Sequence, residues 1–565
     1  MQLVLPSGSP LYIFSKSYAI TQNTYKPPNL CIIISKEQKN TSIGNIQAQA
    51  REAEKWAPGF AKSLQSAARH LGNTCTFDGT HVLAGTSREW IKACTGEDFD
   101  LDRFPIEFPR WQYSASTISL NKESLDLPEL SVLRDEIERY QSSRFALFFP
   151  ILDSSLIEDT INAAYHQKVS TASPAIASAK ACIFALHALA IIVLDGSEQL
   201  PFHASLQYAR EAHRHFPDIF SEAATLDGLQ AILLLILCSQ GLAADFHSIN
   251  HLLAAASRLI YDMKGNYSPR MAWDNPSTID YHTRHLFWIA FVCDKGFSLV
   301  TGLPPMLEDS QCDLTFAMIP PELLDQSNEK PHIYGDPYPG SYVHTYVRLA
   351  FIQSKIHRDL YSPRALRQSN TDLLRVIRDV DHSLELWRNS IPVVNRPSLV
   401  AYTGKIVQHV DLRASIFHIQ YHHCMLMIHQ ASSRCDSWAR NLDTQGTGSS
   451  LAISVTASRS LLGGFLHTPF DLGSQNLLFS LSYFIQASIN LFCKILSSPF
   501  DTENHEDLQI IDRISQLIES YCRPKDPECY RAKVRFAAGV TFELKRLAQC
   551  AIENASRQRS AGILR

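Results

Sequence analysis

What this chain lacks narrows its chemistry before anything it contains is considered. Its 13 cysteines run from Cys31 to Cys550 without a single Cys-x-x-Cys pair, and the nearest two, Cys522 and Cys529, are too isolated to specify a metal. The tight ligand pairs of a structural zinc site are therefore missing. No Gly-x-Ser-x-Gly elbow occurs, and GTGSSL, beginning at Gly446, has neither the third glycine of a dinucleotide fingerprint nor the lysine of a phosphate loop. That stretch reads as a flexible loop. Positive charge is not in excess either: the formal net charge is -4, and residues 1–110 hold 12 Lys and Arg against 10 Asp and Glu. No general basic field attracts nucleic acid, so any DNA contact has to be local.

Export signals are also wanting. The first basic residue is Lys16, so the apolar opening MQLVLPSGSPLYIF has no charged leader segment. Scattered cysteines in odd number fit reduced thiols of the cytosol or nucleus. The apolar runs 181–194 and 229–237 fall short of the roughly 20 residues a bilayer span needs, and Lys180 bounds the first. Both are expected to be buried helices, with no membrane partner.

What is present is apolar bulk. With 565 residues, 45% of them hydrophobic and 19% charged, the chain exceeds the roughly 250 to 300 residues of one core and is too apolar to be disordered throughout. The expected fold class is all-α, a large multi-helix array with an irregular N-terminal segment. Residues 1–50 show no sustained period and read as irregular and poorly ordered. Residues 51–128 read as a docking segment with short helices, one of them over 51–69. A helical domain follows over 129–435, then a loop at 436–450, C-terminal helices over 451–556 packed on the same body, and a tail at 557–565.

Within the helical domain the pattern predicts helices over 129–140, 155–167, 174–194, 204–215, 225–242, 246–263 and 280–300. Tyr342, Tyr346, Leu349, Ile352, Ile356 and Leu360 share one later face; Leu373, Ile377, Val380, Leu384 and Trp387 share another, which Pro392 ends. Further helices are expected over 405–432, 450–466, 477–496, 506–522 and 527–555.

Candidate chemistry is thin. His247 with His251 and His418 with His422 have the His-x-x-x-His spacing of a zincin helix, but neither pair has the glutamate that should follow the first histidine. They read as helix histidines. A metal-dependent cyclase acting on a diphosphate needs clustered carboxylates, and the best approach, Asp379 with Asp381, has no third acid one turn away. An enzyme is not expected, no catalytic or metal residue is assigned, and no cofactor is expected in this chain.

One segment has a distinctive grammar: YHTRHLFWIAFVCDKGFSLVTGLPPMLEDSQCDL, from Tyr281 to Leu314. A helix carrying Arg, Phe-Trp and Asp at fixed offsets runs into Gly-Leu-Pro-Pro and an acidic turn around a cysteine. Arg284 and Asp294 are too far apart along one helix to pair directly, so each is expected to meet a group on another helix. Gly302 followed by prolines is a helix stop. The segment resembles the signature of the fungal-specific transcription factor domain, the middle homology region of binuclear zinc cluster regulators. Arg284, Phe287, Trp288, Asp294, Ser298, Leu299, Gly302, Pro304, Cys312 and Asp313 match that signature, in what reads as a structural role. Lys295 stands where the family usually has Arg, and Leu303 replaces the Arg of Gly-Arg-Pro, which puts the corresponding ion pairs in doubt. YQSSRFALFFPILD, LAAASRLIYDM, LELWRNSIP and IFHIQYHHCMLMIHQ look like other parts of the same domain in the same order, and TSREWIKACTGEDFDLDRF like a segment upstream of it.

The resemblance implies a nuclear transcription regulator of metabolic genes, secondary-metabolite clusters among them. It implies protein partners, as a homodimer or heterodimer, and a small-molecule effector held between helices. Typical relatives read DNA through a six-cysteine zinc cluster near the N-terminus, whereas Cys31, Cys75 and Cys94 are the only cysteines before the helical body. Six ligands cannot come from three. Zinc is expected only with a finger missing from this sequence, and DNA contact only through such a module or indirectly through a partner. The remaining readings are an enzyme of unknown type, which requires a cleft of converging acids, His or Cys, and an adaptor, which requires an exposed apolar patch.

Overall fold

A computed structural model describes residues 85–99, 125–165 except 144 and 147, 174–193, 202–315 except 222, 244 and 245, 341–399, 412–435, 445–466, 473–524 and 528–561. All of these belong to one unit, residues 62–565. The irregular segment expected over 1–50, the helix expected over 51–69, Cys31 and Cys75 lie outside the described residues, as do the side chains of His247 and Cys529. Among the described residues no β-strand occurs, as the helical periodicity predicts.

Two helices have no polar face, and they form the centre. α4 (Pro174–Val193) and α7 (Leu226–Ala243) are apolar all round, which is the pattern of a helix buried on every side. From Leu229 to Cys238 no residue is more than 2% exposed. α4 packs along α7, and around this pair lie α3 (Ile157–Tyr165), α5 (Phe202–Arg214), the short α6 (Phe216–Ser221), α8 (Phe246–Asp262) and, beyond α8, the one-turn α9 (Pro269–Ala272) and α10 (Thr278–Thr301), with α2 (Leu130–Ser142) against α4. By length and composition the window Ile176–Val193 would suffice to cross a membrane, a correction to its expected shortness, since the helix continues upstream through Lys180. The burial of 78% of that window inside the protein fits a core helix.

The second half continues the array. α11 (Ser341–Ile356) packs on α10 and on α12 (Asn370–Ser390), α12 on α13 (Leu412–Gln430), α13 on α14 (Gln445–Leu466) and α14 on α15 (Gly473–Ser497). α15 returns to α7 and to α17 (Glu528–Ser560), which also packs along α16 (Asn504–Ser520). The buried residues of α12 are Leu373, Ile377, Val380, Leu384 and Trp387, the five that the spacing predicts. Trp387 Nε1 donates to Thr345 O of α11 at 2.8 Å, so the indole is buried with its polar group satisfied. α1 (Gly85–Thr95) lies against α17, where Asn554 Nδ2 donates to Cys94 O at 3.0 Å and Arg546 meets Glu97 at 2.7 Å.

Two expectations are corrected. Residues 445–450 form the start of α14 rather than the end of a loop; 436–444 lie outside the described residues. Glycine and serine disfavour a helix there, but Ser450 Oγ lies 2.9 Å from His429 Nδ1 of α13, and Leu451 and Val455 are buried beyond it. Tertiary packing overrides local propensity. The face predicted to reach Leu360 is buried at Leu349, Ile352, Ile356 and Leu360, and its last turn, His357–Tyr361, is a π turn that stops where Ser362, ahead of Pro363, is extended. α17 continues to Ser560, into the expected tail.

Candidate functional site

α10 begins at a capping box. Ser277 Oγ accepts from Asp280 N at 3.3 Å, and Asp280 Oδ2 accepts from Ser277 N at 2.7 Å. Such reciprocal bonds satisfy two of the orphan donors of a helix start. The helix ends at Gly302, whose φ of 73° lies in the left-handed region and whose N–H donates to Ser298 O at 2.8 Å. Between these stops the signature residues fall into two groups, one at each end of the chain's return loop.

The first group surrounds Arg284. Its guanidinium lies over the rings of Phe287 and Trp288, 4.5 and 4.6 Å from their centroids. It donates to Gly265 O at 3.1 Å and to Asp313 O. Asn266 Nδ2 donates to Gln311 O at 2.6 Å, Asp313 N to Asn266 O at 2.9 Å and Ser268 N to Asp313 Oδ2 at 3.3 Å. The turn after α8 is thereby clamped to residues 311–313, with Arg284 as the bolt. Burial lowers the Arg284 pKa to about 10, against the raising influence of Asp313 and Cys312. The half-buried Cys312 thiol is pushed up to about 11 by burial, with Lys295, a bond from Tyr261 and Arg284 pulling the other way. A thiol so held is protonated and unreactive at neutral pH.

The second group surrounds Asp294. Its carboxylate accepts from Met306 N at 2.7 Å and Leu307 N at 3.0 Å, which pins the Gly-Leu-Pro-Pro loop back onto the helix. Ser298 Oγ donates to Leu303 O at 2.5 Å. Lys295 is fully buried, 3.3 Å from both Asp294 Oδ2 and Asp309 Oδ1, donates to Leu307 O, and sits 4.7 Å from the Phe291 ring centroid. Asp309 also receives Ser354 Oγ at 2.7 Å and Arg358 of the π turn at 3.1 Å. A chain of alternating charge thus runs Asp294, Lys295, Asp309, Arg358. Burial raises the Asp294 pKa, and Lys295 with the two loop N–H groups opposes the rise.

Arg284 and Asp294 therefore do not meet other helices, as expected, but the backbone of two loops. The reason is geometric: each stands beside a sharp reversal whose N–H or C=O groups have no ladder partner, and a buried backbone group needs one. Leu299 is buried, Pro304 is exposed in the loop, and Leu303 is exposed at 47%, so its difference from the family pattern removes nothing from this core. Lys295 keeps its ion pairs despite replacing Arg. Sequence reasoning missed Gly265, Asn266, Asp309 and Arg358 as partners; the Asp309 charge two residues after Leu307 was the available signal.

Nothing else brings ligating groups together: among the described residues no three His, Cys, Asp or Glu side chains could hold a metal. His418 Nε2 meets Asn395 O at 3.0 Å. The acids Asp294 and Asp309 of the signature segment are both engaged, Asp294 by two loop N–H groups and Lys295, and Asp309 by Lys295, Ser354 and Arg358.

Comparison with known proteins gives one family match and several distant relatives. Residues 138–389, which contain the whole stapled segment, match the fungal specific transcription factor domain. An ABC-transporter-regulating transcription factor of Aspergillus oryzae is 24% identical over 87% of this chain and 55% of its own length. A protein of the same description in Aspergillus fumigatus is 25% identical over 62% of this chain and 39% of its own. An uncharacterized transcriptional regulatory protein of Schizosaccharomyces pombe is 24% identical over 42% of this chain and 30% of its own. The chain spans about half or less of the length of these relatives. No solved structure matches it.

Proposed function

We propose that this chain, which carries the fungal specific transcription factor domain over residues 138–389, is a nuclear transcription regulator whose helical array governs activity and partner assembly. The observation that carries the reading is the ordered match across that domain, centred on a helix whose signature residues staple two loops rather than surround a substrate. The stapled architecture supports regulation over catalysis, because a catalytic site needs acids and bases left free to act. The target genes are proposed to be metabolic. Relatives described as regulating ABC transporters favour transporter genes within that set, and secondary-metabolite genes remain part of the proposal.

The test is deletion of the gene followed by transcript profiling. A coherent set enriched in transporter or secondary-metabolite genes is expected, with a fluorescently tagged protein concentrated in the nucleus. A profile with no coherent response, or a tag excluded from nuclei, rejects the reading.

A second reading, a coregulator reaching DNA through a partner, is favoured by one observation. Sequence-specific DNA reading is proposed to come from a partner or from residues outside this sequence, with zinc bound there. Tyr267, Met271, Trp273, Ile279 and Tyr281 are all exposed within one short stretch at the start of α10, and aromatic and methionine side chains of this kind are enriched at protein interfaces. Co-purification of a zinc cluster protein, lost on replacing Met271 and Trp273 by serine, separates this reading from the first.

A further inference from the structure

Between the π turn and the start of α12 the surface opens into a cavity of about 630 Å³, lined by Pro363, Arg364, Arg367, Gln368, Asp372, Arg375 and Val376. Its size falls in the range of small-molecule sites, roughly 300 to 1,000 Å³. The charge on its wall is what sets it apart in a chain of net charge -4. Three guanidinium groups face one carboxylate, and that carboxylate is already occupied: Asp372 accepts from Ser369 Oγ at 2.7 Å and pairs with Arg375. Arg364 and Arg367 have no ion-pair or hydrogen-bond partner for their side chains among the described residues.

The backbone adds to the same sign. Ser369 is the N-cap of α12, a helix running from Asn370 to Ser390, and a helix of that length places partial positive charge at its start.

We infer that this cavity binds a small oxyanion, with Arg364 and Arg367 gripping it from two sides of the wall. Guanidinium forks match phosphate and carboxylate oxygens in pairs, so both anions share the chemistry the site offers. The fit is to a small molecule because the charge is confined to one open pocket rather than an extended basic track, and the chain has no wider excess of positive charge to guide a polyanionic polymer. The inference stands apart from the regulatory reading, since binding is measured on the purified chain without reference to any gene.

Isothermal titration of the full chain with fructose 1,6-bisphosphate, citrate and inorganic pyrophosphate tests it. Citrate carries carboxylates and the other two carry phosphates, so preference among them tells phosphate from carboxylate. Arg364→Gln with Arg367→Gln is expected to weaken binding about tenfold or more, as the loss of charge-assisted hydrogen bonds predicts. The Arg364→Lys, Arg367→Lys pair keeps the charge and is expected to recover only part of the affinity. Arg258→Gln, on an exposed arginine of α8, is expected to leave binding unchanged. Both positions in the pocket are exposed, so thermal melts of the variants are expected to match the parent, separating lost binding from lost folding. The inference is overturned if none of the three probes binds, if binding survives the double glutamine variant, or if an oligoglutamate peptide binds while the small anions do not.

Discussion

Asp294 shows how a single buried charge can be committed to structure. Its two oxygens take the N–H groups of Met306 and Leu307, and its charge faces the fully buried Lys295. Asp294→Ala leaves two loop donors and part of the lysine's charge unanswered. Removing one partner of a buried pair costs about 3 to 5 kcal/mol, because the other stays desolvated. The expected result is a loss of that order in urea denaturation. Asp294→Asn with Lys295→Met removes both charges and keeps one amide oxygen for the loop, so it is expected to cost less than the sum of its single variants. A coupling near zero in that cycle would mean that the two charges act independently. Arg284 differs in kind: it bonds to two carbonyl oxygens and stacks on two rings. A lysine there could supply charge but neither the fork nor the plane.

The helix α10 is defined by its two ends, and each end carries its own prediction. Gly302 sits at φ 73°, where an L side chain is strained, so Gly302→Ala is expected to destabilise by about 1 to 2 kcal/mol. Ser277→Ala opens the capping box at the other end and is expected to cost about 1 kcal/mol. Chemical denaturation of both variants checks the pair; equal and negligible effects would show that the ends are held by tertiary packing alone. The C-terminal end was legible in the sequence, since Gly302 just ahead of Pro304 and Pro305 is a local stop signal; the start was placed at Asp280, and the Ser277 cap was missed. The buried face of α12 was legible for the same reason, its spacing being that of a single amphipathic stripe. Three features were not. The start of α14 at Gln445 depends on His429 from another helix, the π turn depends on how α11 approaches Pro363, and the partners of Arg284 and Asp294 are backbone atoms, which every residue carries. A sequence pattern reports side-chain type along the chain and says little about which loop carbonyl or N–H will lie opposite.

At the scale of the whole molecule, the histidines set a limit on the pH range in which the array is stable. His213 and His285 are lowered to about 4, and His422 and His423 to about 3, in each case chiefly by burial. Around His285 the charge of His282 adds to the lowering while Asp153 and the Pro150 carbonyl oppose it; His418 adds to it at His422. A histidine whose folded pKa lies below its unfolded value binds fewer protons folded than unfolded between the two. Stability therefore falls as pH drops below about 6.5 and continues to fall toward the folded pKa. At pH 5.5 each such group withdraws about 1.4 kcal/mol, and four together on the order of 5 kcal/mol, comparable with the whole stability of an ordinary domain. The carboxylates add their own pH dependence. Asp153 and Asp313 have lowered pKa values and withdraw stability only at still lower pH, while the raised values of Asp227 and Asp294 oppose the trend only where those acids take up protons. Urea midpoints measured at pH 7.5 and 5.5 should show the chain markedly weaker at the lower value. His423 has a buried Nδ1 without a partner, so His423→Leu should flatten the pH dependence by about a quarter while leaving the fold at pH 7.5 intact. A midpoint that does not move between the two pH values would mean that these histidines reach solvent or gain protons without leaving the core.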